Sequence, residues 1–86
     1  MSRTVRERLI LKIPAGPAVG RSLESLGIRA RTGASILAVE RMGHTTANPP
    51  AEFVLAAGDR LLTYGSAEQL RRAQALLRGD EPEVLG

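Results

Sequence analysis

The chain has 86 residues, enough for one domain, with 12 basic and 9 acidic residues and a formal net charge of +3. It has no cysteine and a single histidine, His44, which excludes disulfides, thiol chemistry and any thiolate or histidine-cluster metal site. No nucleophile and base are arranged for covalent catalysis, and no carboxylates are spaced for acid–base work, so we expect no enzyme. A domain this small buries only about 60% of its unfolded surface, and self-association would add stability.

The basic composition needs a separate interpretation. Eleven of the 12 basic residues are arginine and the calculated pI is about 10.6, which is a mild indication of nucleic-acid binding. However, the arginines are scattered, and only Phe53 and Tyr64 are aromatic, so there is no platform on which single strands would stack. We therefore expect no nucleic-acid partner. No stretch approaches the roughly 20 apolar residues of a membrane span, and the start does not resemble a signal peptide, which favours a soluble cytoplasmic protein.

The first half of the chain predicts a strand, a short helix and a second strand. Apolar and polar residues alternate from Val5 to Ile13, which is typical of a half-buried strand, and Pro14 ends it. Residues 20–27 predict one or two turns of helix, with Ser22 as the N-cap and Gly27 at the end in a left-handed conformation.

The stretch that follows organises the rest of the chain. We expect a polar loop from Arg29 to Gly33, then a strand from Ala34 to Arg41 whose apolar run indicates burial on both faces. Arg29 and Arg31, directly upstream of such a strand, would sit on a fixed support and form a suitable cradle for an anion.

The second half predicts a hairpin, one more strand and a helix. Gly43 supplies the positive φ of a tight turn, and the short return strand 45–47 is stopped by the prolines at 49 and 50. A strand over residues 60–64 follows the turn at 56–59. Ser66 and Gln69 have the form of a capping box, which predicts a helix to about Leu77.

These elements predict one domain over residues 1–86, with a folded core at about 5–79, a loose end at 1–4 and a mobile tail at 80–86. The fold class is α+β, with a small mixed or antiparallel sheet, a short helix after the first strand and a C-terminal helix.

Six segments also occur in a recognisable order over about 70 residues, from about Leu9 to Leu77. They are Gly20–Leu26, Ile28–Ala34, Ile36–Arg41, Asn48-Pro49, Leu55–Leu61 and Gly65-Ser66 together with Leu70. In this order they resemble the TrkA C-terminal, or RCK C-terminal, family of regulatory domains of potassium-transport proteins.

The resemblance implies a non-catalytic ligand sensor that forms twofold homodimers and controls potassium transport, other cation transport or cation/proton antiport. Its partner would be a membrane transporter, a channel or an antiporter subunit, which would hold a cytoplasmic domain at the inner membrane. Family members usually follow a Rossmann domain. The chain carries no glycine-rich phosphate fingerprint, so we expect a stand-alone copy or a separated fragment.

In part of the family the dimer cleft binds cyclic di-AMP, a small nucleotide ligand, and no other cofactor is expected. Carried over by position, the ligand-binding residues are Ile28, Arg29, Ala30, Ser35, Ile36 and Pro50. Arg29 of each subunit would meet one phosphate, while apolar side chains would sandwich the adenines. Ser35 stands where such members often have asparagine, and Gly27 where an acidic residue is common.

Two other functions remain open from the residues: a ligand-free dimerisation or assembly module of a transporter, and a basic nucleic-acid-binding protein. Simpler structural roles are also open for individual residues. Arg29 and Arg31 would then be solvated or paired with Glu24 and Glu40, and Asp59 would hydrogen-bond local backbone in its turn.

Overall fold

The computed structural model describes residues 5–79; the predicted loose end 1–4 and tail 80–86 lie outside the described residues. The elements follow the predicted order with one added helix. They are β1 (Arg6–Lys12), α1 (Leu23–Leu26), α2 (Ile28–Thr32), β2 (Ser35–Arg41), β3 (His44–Ala47), β4 (Arg60–Ser66) and α3 (Ala67–Arg78). None of these helices is long and apolar enough to cross a membrane within residues 5–79.

The four strands form one sheet in the order β1-β4-β2-β3, and every pair is antiparallel. β4 lies in the interior of the sheet and pairs with β1 from Arg6↔Ser66 to Lys12↔Arg60. The register between β2 and β4 shifts between Ile36 and Ala38. The α+β prediction is therefore confirmed, with the antiparallel form of the sheet.

The helices cover one face of the sheet. Leu11, Val39 and Leu61 lie on that face, each at most 4% exposed, and pack with the buried residues of the three helices in a single core. On the opposite face Ile10 is 51% exposed and Tyr64 is 36% exposed. This second face is called the open face below.

The expectation that β2 is buried on both faces was wrong for the single chain. Only Val39 among the residues of β2 is buried, and the others are half-buried. The helices all lie on one side of the sheet. Apolar residues of β2 such as Ala38 therefore lie on the open face, opposite Leu62 on β4.

The predicted loop from Arg29 to Gly33 was also wrong, because residues 28–32 form the short helix α2. Gly27 has φ 62°, which ends α1 and lets the chain begin a second helical turn in a new direction. The Thr32 hydroxyl donates to the carbonyl of Ile28 at 2.6 Å and accepts from the N–H of Ala34 at 3.1 Å. Burial of Ile28 and Thr32 in the core then holds a helix too short to be stable alone.

The predicted caps are present. The Ser22 hydroxyl accepts the N–H of Ser25 at 3.1 Å, as an N-cap should. Ser66 and Gln69 form the reciprocal capping box that starts α3, and Gly79 ends this helix in the left-handed conformation. β4 continues to Ser66 rather than ending at Tyr64, because Gly65 stays in register with Glu7 of β1.

A long connection between β3 and β4 runs back past α1. Its backbone pairs with residues 20–24 through the N–H of Leu23 to the carbonyl of Phe53 (2.9 Å) and the N–H of Glu24 to the carbonyl of Ala51 (2.8 Å). These bonds hold the segment around Pro49 and Pro50 beside α1. It is called the proline-containing segment below.

Candidate ligand site

A concavity of about 360 Å³ lies where α1 and α2 meet the start of β2 and the proline-containing segment. This size is within the range of small-molecule sites, and the concavity is open to solvent. Its lining residues are Leu23, Glu24, Gly27, Ile28, Arg29, Ala30, Ala34, Ser35, Ile36, Pro49 and Ala51.

The walls are built from the backbone upward. The left-handed Gly27 forms the corner between α1 and α2, and its N–H donates to the carbonyl of Glu24 at 3.1 Å. The buried Ala34 brings the start of β2 against α2. The opposite wall, at Pro49 and Ala51, is attached to α1 by the hydrogen bond from Glu24 N–H to Ala51.

Five of the six predicted ligand residues line this concavity: Ile28, Arg29, Ala30, Ser35 and Ile36. The sixth, Pro50, is exposed and does not line it, whereas its neighbours Pro49 and Ala51 do. Whether these residues bind a ligand stays a prediction.

The predicted residues differ in what they offer. Arg29 and Ala30 are exposed on α2, and Ser35 and Ile36 are half-buried on β2. Ile28 is only 3% exposed, because its side chain packs in the core. Ile28 therefore supports the wall, and Ile36 and the residues of the proline-containing segment are the apolar groups more open to a ligand.

Two charged residues line the concavity, Arg29 and Glu24. No hydrogen bond or ion pair joins either side chain to another residue within 5–79, so the suggested pairing of Arg29 with Glu24 is not formed. In Glu40, the other suggested carboxylate, Oε1 lies 3.6 Å from Nε of Arg60. Residues 5–79 hold no group of three metal-ligating side chains.

Sequence reasoning missed three lining residues that matter, Glu24, Pro49 and Ala51. Glu24 occupies a variable position of the helix opening, and nothing in its local sequence marks it as facing a site. Pro49 and Ala51 flank the predicted Pro50, so the segment was found but the residues that face inward were not. The segment is neither helix nor strand, so no regular period in the sequence indicates which of its residues face the concavity.

The one-sided four-stranded sheet, with a ligand-sized concavity at its two short helices, defines a small α+β domain of the RCK C-terminal type. The TrkA-C domain profile matches residues 9–78. This chain belongs to the TrkA-C domain family, which is a family of regulatory domains rather than of enzymes.

Among curated proteins, the chain is similar to Potassium channel protein 1 of Methanocaldococcus jannaschii, with 39% identity over 59 residues, which is 69% of this chain. Those residues make up 18% of the relative, so the chain spans less than a fifth of its length. The likeness therefore concerns one part of that protein and not its whole length.

Solved structures share the fold. The RCK C domain of the potassium transport protein KtrA in complex with cyclic di-AMP is 29% identical, with a TM-score of 0.75 and coverage of 80% of each chain. The RCK_C domain dimer of S. agalactiae BusR, also in complex with cyclic di-AMP, is 22% identical. It superposes with a TM-score of 0.76 over 81% of this chain and 93% of that one.

Proposed function

We propose that this chain is a homodimeric ligand-sensing domain that controls potassium or other cation transport, or cation/proton antiport, by binding cyclic di-AMP. The observation that carries the proposal is the concavity, which brings five of the six predicted residues together around one exposed arginine. The similar KtrA domain, in complex with cyclic di-AMP, supports the choice of ligand.

The chemistry suits a cyclic dinucleotide with two phosphates related by a twofold axis. Arg29 is exposed on α2 and lines the concavity, and in a dimer each subunit would offer one such planar guanidinium, which binds a phosphate through two parallel hydrogen bonds. Ile36 and Pro49 offer apolar surface to an adenine face, and backbone groups near Ala30 offer partners to its edge.

Regulation would follow from the dimer. A ligand that contacts both subunits favours one relative orientation of the two, by as much as its affinities for the two orientations differ. That change of orientation would be passed to a membrane transporter, channel or antiporter subunit, which would hold this cytoplasmic domain at the inner membrane.

Isothermal titration calorimetry of the purified protein with cyclic di-AMP tests the proposal, with cyclic di-GMP and ATP as controls at two salt concentrations. We expect selective binding of one cyclic di-AMP per dimer. A dimer that ignores every nucleotide would favour a ligand-free assembly module and direct attention to Ser35 and Gly27. Binding that is unselective and falls steeply with salt would favour a nucleic-acid-binding protein.

A further inference from the structure

Glu24 is an acidic residue that lines the ligand concavity and that the proposed phosphate contact does not use. It lies in the first turn of α1 and lines the same concavity as Arg29. Its backbone N–H donates to the carbonyl of Ala51 at 2.8 Å, which fixes the residue between the two walls of the site.

The carboxylate of Glu24 is open to a ligand. No side-chain hydrogen bond or ion pair links it to any residue in the described range 5–79. The nearby Arg21 is already engaged, because it donates from Nε to the Ser25 hydroxyl at 3.1 Å and from Nη2 to the Ser25 carbonyl at 2.8 Å.

A carboxylate and a guanidinium in one concavity suit only some ligands. A carboxylate accepts hydrogen bonds and donates none, and it repels other anions. A simple polyanion would gain from Arg29 and lose at Glu24. A ligand that carries phosphate at one end and N–H donors at the other satisfies both groups.

We propose that Glu24 is the specificity-determining residue of this site, and that it accepts a hydrogen bond from the exocyclic amino group of a purine in the bound nucleotide. This inference rests on the proposed nucleotide-binding function and adds to it the group that reads the base. Adenine and guanine both carry such an amino group, whereas hypoxanthine does not.

The test is calorimetric titration of the full chain with cyclic di-AMP, cyclic di-GMP and cyclic di-IMP, whose hypoxanthine bases lack the amino group. The variants are Glu24→Ala and Glu24→Gln. The matched control is Glu52→Gln, an exposed glutamate on the neighbouring segment that does not line the concavity.

We expect the wild type to bind the preferred amino-bearing dinucleotide at least about tenfold more tightly than cyclic di-IMP, since a hydrogen bond to a charged group is lost with the amino group. Glu24→Ala should bring the ratio of these two affinities close to one. Its affinity for cyclic di-IMP itself should stay the same or rise, because a negative charge near the phosphates is gone. Glu24→Gln keeps an acceptor oxygen without the charge, so its affinity ratio should lie between those of the wild type and Glu24→Ala. Glu52→Gln should have the affinity ratio of the wild type.

The ratio separates this role from a merely structural one, which would weaken all three ligands alike. A wild type that binds a dinucleotide, with a ratio unchanged in Glu24→Ala, overturns the inference and leaves the proposed function intact. A wild type that binds none of the three overturns the proposed function, and the inference with it. A preference for cyclic di-GMP that Glu24→Ala removes supports the role of Glu24 and replaces the adenine dinucleotide as the ligand.

Discussion

The guanidinium of Arg41, at the end of β2, holds the carboxylate of Asp59 through two hydrogen bonds, Nε to Oδ1 at 2.8 Å and Nη2 to Oδ2 at 2.6 Å. Asp59 is fully buried, and its Oδ2 also accepts the N–H of Ala56 at 2.9 Å. The side chain of Arg41 is 42% exposed. Its Nη2 donates to the carbonyl of Val54 at 2.9 Å, and its guanidinium lies 5.1 Å from the centre of the Phe53 ring. The pair ties the connection between β3 and β4 to the sheet.

Removing the two partners should have unequal effects. Asp59→Ala removes hydrogen bonds to a charged group, with an expected loss of about 1.5–3 kcal/mol in the free energy of unfolding. The Arg41 guanidinium that remains is partly exposed, so water can solvate it. Arg41→Ala should destabilise more, because it leaves the buried Asp59 carboxylate with only the Ala56 N–H. Urea unfolding of both variants measures this order. Equal losses, or a larger loss for Asp59→Ala, would contradict it.

The same pair predicts a dependence on pH. The hydrogen bond from Arg41 is the largest cause that holds the pKa of Asp59 below its usual value. A carboxyl group whose pKa is lowered by folding stabilises the protein above its unfolded pKa of about 3.9, and this stability is lost as pH falls towards the folded pKa. Wild type should therefore lose stability below about pH 4 more steeply than Asp59→Asn. Thermal unfolding from pH 6 to pH 2 checks the difference, and parallel curves would refute it.

Arg29→Ala should weaken cyclic di-AMP binding by about tenfold to a hundredfold, the value of charge-assisted hydrogen bonds to a phosphate. The variant should keep the fold and the dimer, because the side chain is exposed and outside the core. Calorimetry measures the affinity, and sedimentation shows whether the dimer is retained. Arg71→Ala, on the exposed side of α3, is the control for loss of one positive charge and should bind as the wild type does. Unchanged affinity in Arg29→Ala would refute the assigned contact.

The two faces of the sheet should respond differently to a charge. Val39→Asp places an unpaired carboxylate in the core, where Val39 is 1% exposed, and should unfold the protein. Leu62→Asp places the same group on the open face, and the chain should remain folded. Circular dichroism distinguishes the outcomes. A folded Val39→Asp would mean that the helices do not cover this face as described.

Gly33 and Gly43 form a matched pair for testing the close contact between α2 and α3. Both have positive φ, 83° and 79°. A Cβ at Gly33 would lie 2.6 Å from Nε2 of Gln69, the capping-box residue of α3, whereas a Cβ at Gly43 meets nothing within 4 Å. Gly43→Ala should cost about 1 kcal/mol of stability for its conformation alone. Gly33→Ala should cost about 1 kcal/mol more, because the cap is also disturbed. Equal losses on urea unfolding would argue against the crowding.

The sequence predicted those features that depend on neighbouring residues. The caps at Ser22, Gly27 and Ser66 were found because a cap and its partner lie within four positions. The family resemblance, rather than local pattern, supplied the five predicted residues that line the concavity. α2 was missed because glycines bound it on both sides and its stability comes from burial of Ile28, which no local pattern reveals.

Features that depend on distant residues were not predictable in this way. The turn at Asp59 was found, and its local bond to Ala56 is present, but its pairing with Arg41 joins residues 18 positions apart. The open face is similar: the apolar content of β2 was read correctly, but only the placement of all three helices shows which side they leave uncovered.

The position of β1 in the sheet has a consequence for how the chain folds. The first strand of the described chain pairs with the last, Arg6 with Ser66, while the β2–β3 hairpin is local. Contacts between distant segments form slowly, because a long loop must close first. During synthesis, β1 emerges early and stays without its neighbour until β4 leaves the ribosome, and the core then still lacks α3. The domain should therefore fold late and all at once, with the apolar residues of its first strand, Leu9, Ile10 and Leu11, in need of protection until then.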